Sequence, residues 1–344
     1  MNSLVEICNK IKQNRRGFIS LNLFVFMFLV SLFAEFVAND KPLIIKYRHH
    51  FYFPIFQSYS EAEFGGSFST EANYRDPYIK NIIRNDGWIL MPVIPYSYNT
   101  ISYNINNPAP TSPDKRNWLG TDDNARDVLA RLIYGLRISL LFGLVLTFFS
   151  ALIGIFFGAM QGYFLGLIDL LLQRFTEIWS SLPVLFLLII LSSIIEPSFF
   201  ILLFLMLLFS WMSIAGLVRA EFLKLRNFDF VRSAKAIGAS NSRIIFTHML
   251  PNALSSTMAA LPFFLCHSII TLTALDFLGF GLSIETPSLG ELLAQGKDNI
   301  TAYHLGISGF VVITLISSLL VFIGEAAREI LDVKLCETVP KSTQ

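Results

Sequence analysis

Charged residues are scarce in this sequence. Asp, Glu, Lys and Arg make up 15% of its 344 residues, where soluble domains average about 25%. Hydrophobic residues reach 53%, Phe alone accounts for 33 positions, and the mean hydropathy is +0.57. That balance points away from a soluble core and towards lipid. The net charge of +1 gives no overall attraction to nucleic acid. Only three cysteines occur, Cys8, Cys266 and Cys336; they lie far apart and match no metal or redox spacing, so inert thiols are expected rather than a disulfide scaffold.

Motifs for chemistry are lacking as well. The nearest approach to a phosphate-binding loop is "GELLAQGKD", Gly290–Asp298. It has one residue too many between its glycines, and Asp298 stands where Ser or Thr should hold Mg²⁺. "GFGLSI", Gly279–Ile284, lacks a third glycine and any βαβ context. No HExxH, GxSxG or His/Cys cluster occurs, so neither a catalytic centre nor a metal site is expected. Charges at mid-membrane depth, which an ion-coupled carrier needs, are few. Asp169, Glu177 and Glu196 fall in loops or at span ends. Asp276 lies late in an apolar run, with a gate or cavity role on one reading and interfacial placement on the other. His267 is nearer the middle, either a ligand or a satisfied polar contact.

Long apolar runs are what the sequence has. A membrane-spanning helix needs about 20 mostly apolar residues, and six stretches qualify: Phe18–Ala38, Ile138–Tyr163, Glu177–Ile195, Ser198–Val218, Thr257–Leu282 and His304–Glu325. The first follows Lys10, Lys12, Arg15 and Arg16 as a signal peptide would. It is longer than the roughly 7–15 residues of a signal core, and a cut after Ala34 or Ala38 would put Leu32 or Phe36 three positions before the bond. An uncleaved signal-anchor is the reading preferred. An all-α polytopic membrane protein with six transmembrane helices is therefore expected.

Lys and Arg in short loops set orientation. Residues 1–17 carry four. Residues 219–256 carry Arg219, Lys224, Arg226, Arg232, Lys235 and Arg243, and the tail after Glu325 carries Arg328, Lys334 and Lys341. The short loops on the other side, Glu196–Pro197 and Ser283–Tyr303, hold only Lys297. Six spans place all three basic segments on one face, the cytoplasm, together with both termini. Residues 39–137 then lie outside. Residues 39–117, rich in Tyr, Phe, Pro and Gly, read as short strands and turns in a small extracytoplasmic module that either contacts a partner or caps the bundle. Trp118–Arg137 reads as an amphipathic approach to the second span, serving gating, docking or interfacial anchoring. Residues 138–344 form the core.

The cytoplasmic stretch 219–256 contains "NFDFVRSAKAIGASNSRIIFTHMLPN". Asn227 or Asp229 is placed to cap a short helix. Val231, Ala234, Ile237 and Gly238 recur as a narrow apolar face, with Arg232 and Lys235 on another side. Gly238 ends the helix, because glycine takes the left-handed conformation without steric cost. Ser240 or Asn241 caps a second helix, and Pro251 fits the start of the fifth span. A solvated basic loop explains the charges but not the small residues or the placement of Gly238 and Pro251; a docking element for a cytoplasmic partner explains both.

That stretch resembles the cytoplasmic loop of ATP-binding-cassette importer permeases, Glu-Ala-Ala, three residues, Gly, nine residues, then Ile-x-Leu-Pro. Its counterpart runs Arg232-Ser233-Ala234, Gly238, His248-Met249-Leu250-Pro251; Arg232, Ser233 and His248 depart from the pattern. "WLGTDDNARDVLARLIYGLRISLLFG", Trp118–Gly143, is similar to the signature of the oligopeptide/dipeptide permeases, with Ala125 in place of its Gly, and "LTALDFLGFGL" and "PSLGELLAQGK" are similar to that subfamily too. The segment beginning "KPLIIKYRHHFYFPIF" resembles the YejE-type branch of microcin C and oligopeptide permeases. The resemblance covers the chain past residue 18.

The resemblance implies the type I importer permease fold in a bacterial inner membrane. It implies a second homologous permease, cytoplasmic ATPases that bind ATP and Mg²⁺, and an extracytoplasmic solute-binding protein. ATPase contact falls on Asp229, Val231, Arg232, Ser233, Ala234, Ala236, Gly238, Leu250 and Pro251. The outer signature comprises Gly120, Thr121, Asp122, Arg126, Asp127 and Arg131. A stand-alone carrier or channel is the alternative; it should show charges at the membrane midplane and an internal repeat, and neither is found. A structural scaffold would explain the spans but not the spaced loop.

Overall fold

The computed structural model describes residues 14–103, 107–195, 198–283 and 285–338. Cys8 and Glu196 lie outside the described residues, and so do Lys10, Lys12 and Lys341. The first helix, α1, runs Arg15–Leu32 with the Asn14 side chain accepting from the Gly17 amide at 3.2 Å. A short α2, Ala34–Val37, continues it.

The module that follows is built on a three-stranded antiparallel sheet in the order β2-β1-β3. Its strands are β1 Ile44–Tyr47, β2 His50–Tyr52 and β3 Gly87–Leu90, and Ile45 pairs with both Tyr52 and Ile89. Helix α3, Pro77–Asn85, starts with Asp76 capping the Tyr78 amide. It covers one face of the sheet with Ile79 and Ile83, which pack with Ile45, Tyr47 and Phe64 into a small core. The strands and turns expected of this segment are present, together with this helix. Ala38, Ile94 and Tyr96 then pack on Ala130 and Tyr134, and the Tyr134 hydroxyl donates to the Ala38 carbonyl at 2.9 Å, seating the module on the membrane part.

Helix α4 runs unbroken over Val128–Phe164, 37 residues, so the helix that carries the expected second span starts ten residues before Ile138. The segment read as an amphipathic approach is in part the first turns of that helix. At about 1.5 Å per residue the rod is roughly 55 Å long, and it separates the module from the far end of the bundle. α5, Gly166–Ser180, and α6, Val184–Ile194, replace the straight third span expected at Glu177–Ile195; they meet at a bend of 62°. α7 is Phe199–Leu225 and α8 is Asp229–Ala236. Then α9, Asn241–Arg243, a π-helical turn Ile244–Met249 and α10, Leu250–Phe277, form one rod, so the helix that carries the expected fifth span begins at Asn241, well before Thr257. Pro251 does not interrupt it. The wider π turn precedes it, and Pro251 takes the first turn of α10, where a missing N–H is tolerated. α11, Leu289–Asp298, occupies the stretch read as an outer loop, and α12 spans Tyr303–Thr338. Among the described residues five helices are long and apolar enough to cross a membrane, six crossing elements if the bent pair is one.

The tightest packing joins α4 to α7. Gly154, Gly158 and Gly162 recur every four residues along one face of α4. A methyl group at Gly154 would lie 2.8 Å from Ile214 Cβ, and one at Gly158 would lie 2.8 Å from Val218 Cβ. Small residues at this spacing let membrane helices approach closely. Gly158→Leu is expected to force α4 from α7 and lower the melting temperature of the detergent-purified protein. Overpacking costs about 1–3 kcal/mol, whereas leucine at the exposed Phe156 should change little.

Candidate functional site

α8 is fixed to the bundle on one side and open on the other. Neither Asn227 nor Asp229 caps it. Phe228 occupies the N-cap without a side-chain bond, Asp229 lies in the first turn, where its charge favours the helix dipole, and the Asn227 amide donates back to the Leu223 carbonyl. Val231 is fully buried among Tyr163, Ile214, Val218, Phe222, Ile244 and Met249, with Ala234 and Ala239 packed beside it. Lys235 lies 5.2 Å from the Tyr163 ring, whose hydroxyl donates to Asn241 at 2.6 Å. α8 thus sits on the joint ends of α4, α7 and the α9–α10 rod.

Its C-terminus closes as the glycine predicted. Gly238 has φ +85°, its amide donates to Lys235, and Ala239 donates to Ala234, the paired bonds of a Schellman motif. The apolar face expected from Val231 to Ile237 does not exist as one surface. Ile237 is 86% exposed and looks outwards with the half-exposed Phe228 and Phe230, near Arg232, Ser233 and Ala236. Leu250 is half-buried at the base and Pro251 exposed.

Residues 131–335, from the first turns of α4 into α12, match the family described as binding-protein-dependent transport system inner membrane component. The chain belongs to this permease family. It is 52% identical over 94% of its length to the inner membrane ABC transporter permease protein YejE of Escherichia coli K12, of which 95% is covered. It is 50% identical over 93% of its length to the peptidoglycan transport system permease protein YejE of Agrobacterium fabrum, of which 90% is covered. The oligopeptide transport system permease protein OppC of Bacillus subtilis is 30% identical over 72% of this chain and 82% of its own. In fold it is similar to a chain of the MetNI methionine ABC transporter in an inward-facing conformation. There the TM-score is 0.50 and the identity 18%, over 59% of this chain and 95% of that one. The permease is a membrane-embedded transporter subunit of the YejE type.

At the module end of the permease, the outer signature residues come together and are buried. Asp127 caps α4 by accepting from the Ala130 amide at 2.8 Å, while its other oxygen accepts from Asn117 at 2.8 Å. Thr121 takes the Thr111 amide at 2.9 Å, and the carbonyl of Thr121 meets His304 at 3.2 Å. Asp122 binds the Arg126 amide at 2.8 Å and its guanidinium at 2.7 Å. Arg131, fully buried, places Nε 3.4 Å from Asp122, an ion-pair distance without hydrogen-bond geometry, and bonds closely to Glu291 on α11. Arg126 also reaches Glu291, at 3.3 Å. Burial pushes the Glu291 carboxyl up, and the two guanidiniums oppose the rise. Gly120 lies in the turn before this clasp with φ +76°. The arrangement locks the segment before α4 to α11. Glu291 escaped the sequence reading, although a buried arginine demands an acid somewhere.

Asp276 is likewise a clasp in this structure. It takes the Ser288 hydroxyl at 2.5 Å and the Leu282 amide at 2.8 Å, tying the end of α10 to the start of α11. His267 lines a cavity of about 680 Å³ among α4, α6, α7 and α10, together with Thr147, Ser150, Ser210, Ser213 and Thr271. Ser150 and Ser210 bond across the helices at 2.5 Å. Among the described residues no charged side chain lines this cavity. None of these hydroxyl residues stands out in the sequence, because isolated serines and threonines do not interrupt an apolar run. Among the described residues no His, Cys, Asp or Glu cluster suited to a metal occurs.

Proposed function

We propose that the chain is the permease subunit of a bacterial inner-membrane importer of oligopeptides or peptide-like compounds such as microcin C, with both termini in the cytoplasm. Separate ATPase subunits bind ATP and Mg²⁺ and supply the energy; a second homologous permease completes the pathway, and an extracytoplasmic solute-binding protein delivers cargo. The observation that carries this reading is α8: a helix pinned by Val231 that still displays Phe228, Phe230 and Ile237. Apolar side chains beside the cations Arg232 and Arg226, held on three converging helix ends, suit a groove on a cytoplasmic protein. The names of relatives, which include oligopeptide, dipeptide and peptidoglycan transport, support the cargo class.

Movement of the docked ATPases would reach the bundle through the Val231 cluster. α4, α7 and α10 all contribute to it, so displacing α8 shifts their cytoplasmic ends together. The docked helix transmits only the difference in contact free energy between the inward- and outward-facing states. At mid-depth the uncharged, hydroxyl-lined cavity fits a passage for cargo of varied side chains.

Affinity purification from native membranes tests this. An ATPase is expected to co-purify, and a strain lacking the chain should lose uptake of labelled oligopeptides until the chain is restored. A chain that purifies alone and moves peptides on an ion gradient would instead be a secondary carrier.

A further inference from the structure

The module contains a cavity that transport through the bundle does not use. It measures about 890 Å³ and lies between the module and the segment leading to α4, within the range of about 300–1,000 Å³ typical of small-ligand sites. Its carboxylates are already engaged. Glu71 takes the Lys41 ammonium at 2.5 Å, and that bond, with one from the Ser58 hydroxyl, holds its carboxyl below the usual range. Asp40 accepts from Thr100 at 3.0 Å, and Asp76 caps α3.

Two cations in the wall are not matched in this way. The Arg75 guanidinium lies 4.7 Å from the Tyr96 ring centre and gives one donor to the Ile101 carbonyl at 3.2 Å. Among the described residues neither Arg75 nor Lys80 has an acid within ion-pair distance. Lys80, half-buried on α3, has its ammonium pushed down first by burial and then by the charges of Arg75 and Arg84. A concave wall with surplus donors and positive potential calls for an anion. A carboxylate meets both needs, since charge-assisted bonds are about twice as strong as neutral ones. The volume suits a few residues of extended peptide rather than a protein surface.

We propose that this cavity binds the free carboxylate of a short peptide between Lys80 and Arg75, with the Tyr96 side of the wall against the preceding residue. The permease would then carry its own extracytoplasmic peptide site, separate from the cavity between its helices. The choice of peptide rests on the importer reading; the carboxylate chemistry does not.

The permease complex, in lipid nanodiscs and without its solute-binding protein, is titrated with N-terminally labelled trialanine and with the C-terminal amide of the same peptide. The free acid is expected to bind at least about tenfold more tightly than the amide. Lys80→Gln combined with Arg75→Gln should abolish that preference and Lys80→Arg should keep it, with melting temperatures unchanged. Equal binding of acid and amide, or a preference that survives the double substitution, overturns the proposal. So does a double variant that loses docking of the solute-binding protein while its peptide preference is intact, because the cations would then serve an acid of that protein. Co-purification of an ATPase, scored on the same preparation, tests the importer reading independently.

Discussion

Arg131→Met is expected to cost the permease about 3–5 kcal/mol, the penalty of leaving a buried charge without its partner. The guanidinium is completely buried between Asp122 and Glu291. Two inner acids, Asp122 and Glu291, face two bases, Arg126 and Arg131, so the inner clasp is neutral as built; the exposed Asp123 reaches Arg126 only at 4.0 Å, from the solvent side. Removing Arg131 alone leaves one surplus negative charge on the fully buried Asp122 and the largely buried Glu291, and the segment before α4 should detach from α11. Removing Glu291 as well restores the balance: Arg126 and Asp122 remain paired at 2.7 Å, and methionines fill the vacated volume. The double variant Arg131→Met, Glu291→Met should therefore recover at least half of the lost stability, since well-packed apolar residues often replace a buried ion pair at little cost. Melting temperature in detergent and abundance in the membrane are the readouts. A double variant as unstable as the single one would show that the clasp acts through its hydrogen-bond geometry and not through charge balance.

The same clasp explains where the sequence was hard to read. Hydropathy windows measure compatibility with lipid, not helicity, so they stop at charges. Arg131 and Arg137 cut the second span short, and Arg219, Glu221 and Lys224 did the same to the fourth, yet both helices run on through them. Arg219 is held by Asp169 in a two-bond ion pair at 2.7 and 2.8 Å. Partners so distant in the chain leave no local trace. The bend between α5 and α6 is written only in Pro183, within an otherwise continuous apolar run. By contrast the glycine stripe of α4 is legible in the sequence: Gly154, Gly158 and Gly162 stand at the spacing that brings helices together, a signal that apolar content alone does not carry. The misplaced apolar face of α8 follows from simple geometry. At about 100° per residue, Ile237 stands roughly 240° around the helix from Val231, so one residue enters the core and the other leaves it. The permease class and the left-handed glycine after α8 were readable because each depends on local sequence and not on a distant partner.

That glycine supports the second large effect. Gly238→Val should reduce peptide uptake and transport-stimulated ATP hydrolysis at least about tenfold while leaving the permease at its normal level in the membrane. The cause is conformational, not steric. A side chain at Gly238 would have no neighbour within 4 Å, but the backbone sits at φ +85°, where a non-glycine residue costs about 1–2 kcal/mol and a β-branched one is a genuine outlier. Valine would release the bonds from Gly238 to Lys235 and from Ala239 to Ala234. The last turn of α8 would unwind and carry away Ile237, the most exposed of its apolar side chains. Val231 would remain buried, so the fold should survive. The series Gly238→Asn, Gly238→Ala, Gly238→Val orders the residues by rising cost of the left-handed conformation, and coupling should fall in that order. Bulk-dependent loss with asparagine no better than valine would mean that the ATPase packs directly on this position. Normal uptake by the valine variant would remove α8 from the coupling pathway altogether.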